Sequence, residues 1–213
     1  MRVHSSIKDS GNGDQPTVPY ITTWATERSL PAQVTAHPSG VGIAYADEGL
    51  GDRDRKGVLW MRAPSRPGYG RPVFGEVHTA RQRRAMRALL CQVCAGPADH
   101  TDDGVLWVLK DDREGWPGWP ERMGVTEPPI CLPCLRFSVN ACPALRKGYV
   151  VVRVRDSTVS GIYGLRYRPG QPFPTPSEPA LLAFDAPTIR WTLASQLVRE
   201  LLDCAIVDVA AWR

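Results

Sequence analysis

The sequence predicts an α+β protein with short strands, β-hairpins, a metal-binding unit built on four cysteines, and a C-terminal helix. Of its 213 residues, 43% are apolar, which is enough to build a hydrophobic core. Twenty prolines and nineteen glycines favour turns and short elements. Two CxxC pairs, Cys91-Gln-Val-Cys94 and Cys131-Leu-Pro-Cys134, can bring four thiols to one metal ion.

Changes in composition along the chain predict its domain organisation. Residues 1–19 are polar and lack apolar periodicity, so we expect a disordered leader. Residues 20–168 form the expected α+β core, with the metal unit at about 91–145. The stretch 169–179 is rich in proline and predicts an extended connector. Residues 180–213 follow as a strand-helix unit that we expect to pack on the core.

The first part of the core predicts two short strands and a helix. Val41–Ala46 and Val58–Met61 are the apolar runs expected to form strands, and the charged, glycine-containing segment Asp47–Gly57 is an exposed loop between them. Thr79 is the expected N-cap of a helix over Ala80–Leu90.

The helix over 80–90 is amphipathic in the sequence. The residues expected on its apolar side are Ala85, Met86, Leu89 and Leu90, and those expected on the opposite side are Arg83, Arg84 and Arg87. The helix therefore leads the chain directly into the first cysteine pair with a basic face exposed.

The segment between the cysteine pairs predicts a turn, a strand and an acidic lobe. Gly96 is expected to adopt a positive φ and turn backbone amides toward the thiols. Val105–Leu109 predicts a buried strand, followed by the acidic turn Asp111–Glu114. The run Trp116–Pro120 predicts either a rigid lid on the core or a contact surface. After Cys131, a helix is expected from Leu132 to about Val139.

The C-terminal part predicts a second hairpin, a strand and a helix. Tyr149–Arg155 and Val159–Tyr167 are the two expected hairpin strands. Ala180–Phe184 predicts a strand, and Pro187 to about Cys204 a helix. The outward positions of the hairpin are Arg153, Arg155, Arg166 and Arg168. The helical stripe contains Leu193, Leu197, Val198, Leu201 and Leu202, which predicts core packing or, alternatively, a helix-mediated dimer.

The two CxxC pairs are separated by 36 residues and predict a closed four-cysteine zinc site. Four thiolates fill all tetrahedral positions and leave none for a catalytic water, so the expected role is structural. A redox-active CxxC is the alternative reading. Cys142 and Cys204 lie outside the pairs, and we expect them to be buried small apolar residues.

From Cys91 to about Leu145, the chain resembles a treble-clef zinc finger, in which a cysteine turn, a hairpin and a second CxxC opening a helix follow one another. This resemblance covers about a quarter of the chain. Treble clefs occur in ribosomal proteins, nucleic-acid binders, protein-interaction modules and HNH nucleases. The resemblance therefore implies a zinc scaffold more than any one function.

The unit also resembles a degenerate HNH nuclease. In zinc-braced HNH enzymes the hairpin carries an Asp-His or His-His pair, and polar ligands after the second CxxC complete a catalytic metal site. Here residues 111–113 read Asp-Asp-Arg, Leu135 follows the last cysteine, and His100 is the only histidine between the pairs. We therefore expect no catalytic residues. The remaining nuclease reading uses a hard metal held by Asp102, Asp103, Asp111 and Asp112.

Charge is distributed unevenly around the metal unit. The formal net charge is +4, but residues 79–90 carry four arginines and no acid, and residues 136–168 carry seven bases against one acid. The intervening segment 99–127 carries eight acids against three bases. The arginines expected to contact nucleic-acid phosphates are Arg81, Arg83, Arg84, Arg87, Arg153, Arg155, Arg166 and Arg168.

Two function classes follow from these features. The first is a zinc-braced, non-catalytic nucleic-acid-binding protein that uses the arginine-rich helix and hairpin. The alternative is a protein-interaction or assembly module, including a homodimer, that uses the tryptophan and proline segments and the C-terminal helix. With no apolar run of eighteen residues, the sequence predicts no membrane segment, and we expect a cytoplasmic protein.

Overall fold

The computed structural model describes residues 17–28 and 32–208, and shows a mixed protein of mostly strands with two α-helices. The strands are β1 Thr22–Trp24, β2 Val34–Ala36, β3 Ile43–Tyr45, β4 Pro72–Val77, β5 His100–Thr101, β6 Gly104–Lys110, β7 Gly124–Val125, β8 Tyr149–Arg168, β9 Thr175–Ala183 and β10 Thr192–Val207. The helices are α1 Thr79–Ala88 and α2 Leu132–Ala141, and three 3₁₀ turns span Ala25–Glu27, Leu145–Lys147 and Pro187–Trp191. Residues 1–16 of the expected leader lie outside the described residues.

The main sheet is organised around β8, which spans 20 residues. One edge of β8 pairs with β10 along nearly its whole length. The other edge pairs first with β6 and then with β9, and β5 and β7 complete the six strands on the outer sides of β6 and β10. All these pairings are antiparallel. Two small two-stranded sheets, β1–β4 and β2–β3, lie outside the main sheet.

The predicted hairpin over 149–167 is wrong, because β8 continues through the segment expected to turn. Asp156–Thr158 pairs without interruption with residues 200–202 of β10. The buried Arg199 guanidinium also donates hydrogen bonds to the carbonyl and hydroxyl oxygens of Ser157, at 2.5 and 2.9 Å. A long partner strand thus keeps these polar residues extended, although in isolation they favour a turn.

The predicted helix over 187–204 is also wrong. A short 3₁₀ turn at Pro187–Trp191 leads into β10. The pairing of β10 with β8 shifts register twice, between Ala194 and Gln196 and between Val198 and Arg199. Such bulges break the period of two and leave buried positions three or four residues apart, which imitates a helix. The buried apolar residues of β10 are Leu193, Ala194, Leu197, Val198 and Leu201, so the stripe packs in the core and presents no helical dimer face.

Two other predictions change in the structure. The connector predicted for 169–179 supplies the first residues of β9, whose Pro176 and Pro179 oppose β8 in the ladder. The strand predicted at Val58–Met61 is absent; its residues make only single bridges, from Leu59 to Arg53 and from Trp60 to Ala194. Val58, Leu59 and Trp60 are nevertheless buried, as expected for an apolar run.

The two faces of the sheet bury different parts of the protein. Trp107, Val152 and Leu201 belong to a core cluster that also contains Met86 of α1. Leu106, Val108 and Val151 point to the other face, where Cys91 and residues of α2 cover them. Because neighbouring strand residues alternate between faces, β6 is buried on both sides and appears in the sequence as a continuous apolar run.

Helix α1 is fixed to β10 by polar side chains. Its N-cap is His78 rather than the predicted Thr79, and the ring Nδ1 accepts the Arg81 N–H. The Gln82 amide donates to the carbonyls of Thr126 and Leu197 and accepts the Leu197 N–H, at 2.7, 2.9 and 3.0 Å. Arg199 donates to the Met86 carbonyl at 2.8 Å, near the end of the helix. The helix position is therefore set by hydrogen bonds as well as by its apolar residues.

We predict that Gln82→Met lowers the free energy of unfolding by about 2–4 kcal/mol, because it leaves buried backbone groups of Leu197 and Thr126 without partners. Urea denaturation followed by circular dichroism measures this loss. Ala80→Met is the matched control, since Ala80 is exposed on the same helix, and it should change stability by less than about 0.5 kcal/mol. Equal stability of the two variants would contradict the proposed role of Gln82.

Candidate metal centre and arginine surfaces

The first cysteine pair lies in a tight turn that follows α1. The Cys91 N–H donates to the Gly96 carbonyl at 2.7 Å, and the Ala95 N–H donates to the Cys91 carbonyl at 2.9 Å. The left-handed residue of this turn is Ala95, with φ 61°, and not Gly96 as predicted. The Val93 N–H points to the Cys91 thiol, with an N–Sγ distance of 3.4 Å. The turn therefore gathers amide donors around the first thiol.

The second pair is brought to the first by Ile130. Its N–H donates to the Leu106 carbonyl at 2.9 Å, and its carbonyl accepts the Asp99 N–H at 3.1 Å, so Ile130 lies between β6 and the segment entering β5. One residue earlier, the Pro129 carbonyl accepts the Gln92 N–H at 3.0 Å. The chain that precedes the second pair is thus held both to the hairpin and to the first cysteine turn.

Helix α2 positions the last two thiols. Cys131 is its N-cap residue, in extended conformation, and Cys134 lies in the first turn. The Leu135 N–H donates to the Cys131 carbonyl at 2.9 Å, and Pro133 occupies the first turn, where a missing N–H costs nothing. This confirms the helix predicted from Leu132, which extends two residues further, to Ala141.

The four thiol sulfurs lie within 4.8 Å of one another. The separation between the sulfurs of Cys94 and Cys131 is 3.8 Å. A tetrahedral zinc ion with bonds of about 2.3 Å requires sulfur–sulfur distances of about 3.8 Å, so the donor set and its size fit such an ion. Cys91 is buried, Cys131 and Cys134 are half-buried and Cys94 is exposed. The cluster therefore lies at the surface, with one of its four thiols buried in the core.

Local contacts shift the pKa values of the thiols in different directions. Burial alone would raise the pKa of Cys91, but amide hydrogens of Cys131, Cys94 and Val93 hold it below its usual value. Burial raises the pKa of Cys131 and of Cys134, and the neighbouring Cys91 thiolate raises both further. The four thiolates repel one another in the absence of a cation, and a bound divalent ion reverses this balance.

No second group of metal ligands occurs among residues 17–28 and 32–208; the cysteine cluster is the one set of three or more potential ligand residues close enough to share an ion. Asp111 pairs with Arg113 at 2.6 Å, and Asp103 lies 3.5 Å from Arg155. His100 is exposed on β5. The structure thus does not bring the four aspartates of the nuclease reading together with a histidine.

Arg81 is buried and forms an internal ion pair. Its guanidinium donates to both carboxylate oxygens of Glu27, at 2.7 and 2.6 Å, and to the Thr22 carbonyl at 2.6 Å. Glu27 also accepts the Trp24 and Arg66 N–H groups. Although burial opposes it, this set of donors lowers the pKa of Glu27 to about 2. Arg81 therefore holds the N-terminal segment to α1.

The arginines of β8 are divided between the interior and the surface. Arg153 is buried, pairs with Asp99 and donates to the Gly104 carbonyl at 3.1 Å, so it fixes the β5–β6 turn. Arg155 is exposed between Asp103 and Asp203, at 3.5 and 3.6 Å.

The last two arginines of β8 lie near the far end of the sheet. Arg166 donates to the Glu178 carbonyl at 3.4 Å, and Arg168 is exposed. Together with Trp191 they line a depression of about 290 Å³.

The three remaining predicted arginines lie on α1. Arg83 stacks on the Trp60 ring, 3.8 Å from its centre, and Arg84 lies 5.9 Å from the centre of the Tyr20 ring. Arg87 is about half exposed, with Asp54 at 3.9 Å. Burial, and to a lesser extent the charge of Arg87, lowers the pKa of Arg83 to about 10. Arg83 therefore remains cationic at neutral pH.

Sequence reasoning missed that the loop over residues 47–57 approaches α1 through Asp54, which lies 3.9 Å from Arg87. Arg55 and Lys56 directly follow Asp54 and are exposed, and the Lys56 ammonium lies 4.4 Å from the centre of the Phe184 ring. The Asp54 carboxylate is itself saturated by the N–H groups of Lys56 and Val58 and by the Trp60 indole. The adjacent Arg-Lys pair was visible in the sequence, but its proximity to α1 was not.

The two tryptophans of the segment predicted as a lid or contact surface differ in burial. Trp119 is buried in the core, whereas Trp116 is 39% exposed.

The two cysteines outside the CxxC pairs are partly buried. Cys142 and Cys204 are both half-buried, and Cys204 packs against the main core cluster. Burial raises the pKa of Cys204 to about 12, so this thiol stays protonated. Neither cysteine belongs to the four-cysteine cluster.

Comparison of the chain with protein-family models, with curated proteins and with solved structures finds no match. In the part of the chain that the structure describes, neither helix has the length and apolarity needed to cross a membrane.

The Glu27–Arg81 pair predicts a pH dependence of stability. The folded pKa of Glu27, about 2, lies below its ordinary value of 4.5, so the carboxylate stabilises the fold above pH 4.5 and this contribution is lost as the pH falls toward 2. We expect the double variant Glu27→Gln, Arg81→Met to lose about 3 kcal/mol less than the native protein on acidification from pH 5 to 2.

Urea denaturation at several pH values tests this prediction. The matched control is Glu76→Gln, Arg28→Met, because that pair is exposed and should leave the acid dependence nearly unchanged. Identical pH profiles for the native protein and the Glu27 double variant would contradict the role assigned to the buried pair.

Proposed function

We propose that this protein is a zinc-stabilised, non-catalytic nucleic-acid-binding protein whose contacts with phosphate come from exposed and half-buried basic residues around α1. The contact area is here called the α1 basic surface and consists of Arg55, Lys56, Arg83, Arg84 and Arg87. The proposal rests on the accumulation of positive charge at this surface, where few acids remain to neutralise it.

Zinc is the proposed occupant of the cysteine cluster. Four thiolates at tetrahedral separations form the donor set typical of structural zinc, and they leave no coordination position for substrate or water. A cysteine turn, the β5–β6 hairpin and a second pair at the start of α2 follow in the order of a treble clef. We therefore propose a treble-clef zinc finger with a supporting role, in which the ion braces the fold.

The acids nearest to the α1 basic surface are already paired. Arg53 binds Glu48 at 2.6 Å, and Arg62 binds Asp47 and Asp52 at 2.9 and 2.6 Å. Among the described residues, Asp54 is the one acid within ion-pair range of Arg87, at 3.9 Å. The positive charge of the surface is therefore not cancelled by the acidic loop before it, which supports binding of a polyanion.

The observation that carries the proposal is the position of Arg83, Arg84 and Arg87 on one helix, with two of them held against aromatic rings. Burial lowers the pKa of Arg83 and the charge of Arg87 lowers it further, so an anion near both groups would favour the charged form of Arg83. Stacking of Arg83 on Trp60 and of Arg84 near Tyr20 also holds the side chains in fixed directions. Preordered arginines lose less conformational entropy when they bind phosphates.

The metal assignment predicts one equivalent of zinc per chain, measured by elemental analysis of the purified protein. Cys94→Ser or Cys131→Ser should lower bound zinc by at least tenfold and lower the melting temperature, because three ligands and a hydroxyl hold zinc weakly. Cys142→Ser and Cys204→Ser are matched controls and should retain the ion. Retention of full zinc by the Cys131 variant would exclude the four-cysteine site.

The binding proposal predicts steep salt dependence with DNA or RNA oligonucleotides in fluorescence anisotropy titrations. Arg84→Gln combined with Arg87→Gln should weaken binding about tenfold and reduce the slope of log affinity against log salt by about 1.8, because two phosphate contacts are lost. The change should be similar for different sequences, since phosphate contacts do not read bases.

The control for this experiment is Arg113→Gln combined with Arg122→Gln, which removes the same charge from two exposed arginines elsewhere. It should leave affinity and slope nearly unchanged. Absence of binding to DNA and RNA at low salt, or equal losses in both double variants, would refute nucleic-acid binding through the α1 basic surface.

A further inference from the structure

A wide groove of about 660 Å³ lies where the metal unit meets the N-terminal segment. It is bounded by the end of β6, the region around β4, the first cysteine turn and the C-terminal end of α2. Most of its wall is apolar, and the contributing apolar residues include Ile21, Val77, Val93, Val108, Ile130 and Leu145. We call this feature the edge groove. It shares no residue with the α1 basic surface.

The floor of the edge groove is an open strand edge. The N–H and carbonyl of Leu106 bond outward, to Asp99 and Ile130, rather than to β8. Alternate residues of a strand point their backbone groups the same way, and β6 pairs with β8 in unbroken register. Val108 and Lys110 therefore also direct their N–H and carbonyl groups outward into the edge groove. Within the described residues these groups have no hydrogen-bond partner.

Prolines explain why this edge stays open. The antiparallel continuation of β5 would place Pro97 opposite Val108, but Pro97 bridges to Leu90 instead. The segment that includes Ile130 would extend along β6 through Pro129 and Pro128, and neither residue has an N–H to donate. Both neighbouring segments therefore leave β6 after Leu106. Among residues 17–28 and 32–208, no segment pairs with the last residues of the strand on this edge.

The charges of the edge groove are unbalanced at one end. Two of its acids are ion-paired, Glu76 with Arg28 and Asp111 with Arg113, whereas Glu127 accepts the Thr126 N–H and has no ion-pair partner among the described residues. Lys110 and Lys147 also line the groove, and neither ammonium has an ion-pair partner among the described residues. Because Lys110 pairs in register with Tyr149, two residues after Lys147, both cations lie at the same end. This end complements a carboxylate.

We propose that the edge groove binds an extended segment of a partner polypeptide, which adds to β6 as a strand. The backbone of that segment bonds to Val108 and Lys110, and its alternate apolar side chains occupy the apolar walls. An acidic side chain of the segment lies against Lys110 and Lys147. A polynucleotide has no backbone of alternating amide donors and carbonyl acceptors to pair with a strand edge. The edge groove and the α1 basic surface therefore differ both in position and in the kind of ligand proposed for them.

The metal unit has a defined part in this proposal. Val93 belongs to the first cysteine turn, and Ile130 immediately precedes the second pair, so two walls of the edge groove are fixed when the cluster closes. The proposal stands on the open edge and its charges and does not require nucleic-acid binding. Each of the two binding functions can therefore fail without affecting the other.

Fluorescein-labelled eight-residue peptides test the proposal. In four of them, threonine alternates with valine, isoleucine, leucine or phenylalanine, and a C-terminal aspartate carries a free carboxylate. We expect at least one to bind saturably in anisotropy titrations with the full-length zinc-loaded protein. Hydrogen exchange by NMR should show slowed exchange of the Val108 amide in the complex, since this amide gains a partner.

Variants separate the edge groove from nonspecific adhesion. Ala144→Trp should fill the groove and weaken binding at least tenfold, because Ala144 is exposed and lines it. Ala88→Trp adds the same surface on the exposed side of α1 and should not change affinity. Lys110→Glu with Lys147→Glu should weaken the acidic peptide at least fivefold, and a peptide with a C-terminal lysine amide should lose this sensitivity.

Chemical changes in the peptide test the strand pairing itself. N-methylation of alternate amides on the edge that faces β6 should abolish binding, whereas methylation of the other set should be tolerated. Failure of all four peptides to bind would overturn the proposal. So would binding that Ala144→Trp leaves unchanged, or binding without added protection of the Val108 amide.

Discussion

Closure of the four-cysteine cluster depends on the backbone bonds of Ile130. The thiols belong to a turn after α1 and to the start of α2, two segments that are distant in the chain. The backbone of Ile130 inserts between Asp99 and Leu106 and forms a hydrogen bond with each of them. This insertion sets the start of α2 against β6, so the second pair meets the first at the distance that a tetrahedral ion requires. The prolines that flank this insertion leave the last residues of β6 unpaired among the described residues, and this open edge is the floor of the edge groove.

The four-cysteine cluster was predictable from sequence because its information is local. A CxxC pair carries two ligands within one turn, and a proline at the second helical position marks a helix start wherever the pair lies. The long strands were not predictable in the same way. β10 contains two bulges that give its leucines helical spacing, and β8 passes through Asp156–Thr158 because a distant strand supplies its hydrogen bonds. Both errors concern long-range pairing that outweighs local preference.

The partners of the arginines could not be predicted from local sequence either. Their number and spacing predicted two basic faces, but the partners of a charge are set by the fold. Arg81 meets Glu27, 54 positions away, and Arg153 meets Asp99 at the same separation in sequence. Both pairs are structural, since removing one partner would leave a buried charge uncompensated. What remains for binding on α1 depends on neighbours such as Trp60 and Asp54, which local sequence could not place beside the helix.

The α1 basic surface and the edge groove depend to different degrees on the four-cysteine cluster. The helix leads directly into Cys91, yet its orientation is set on β10 by Gln82 and Arg199, which contact no cysteine. The walls of the edge groove, in contrast, include Val93 and Ile130, whose positions depend on the closed cluster. Metal loss should therefore disturb the edge groove more than the α1 basic surface, because a brace acts most strongly on the segments that it joins.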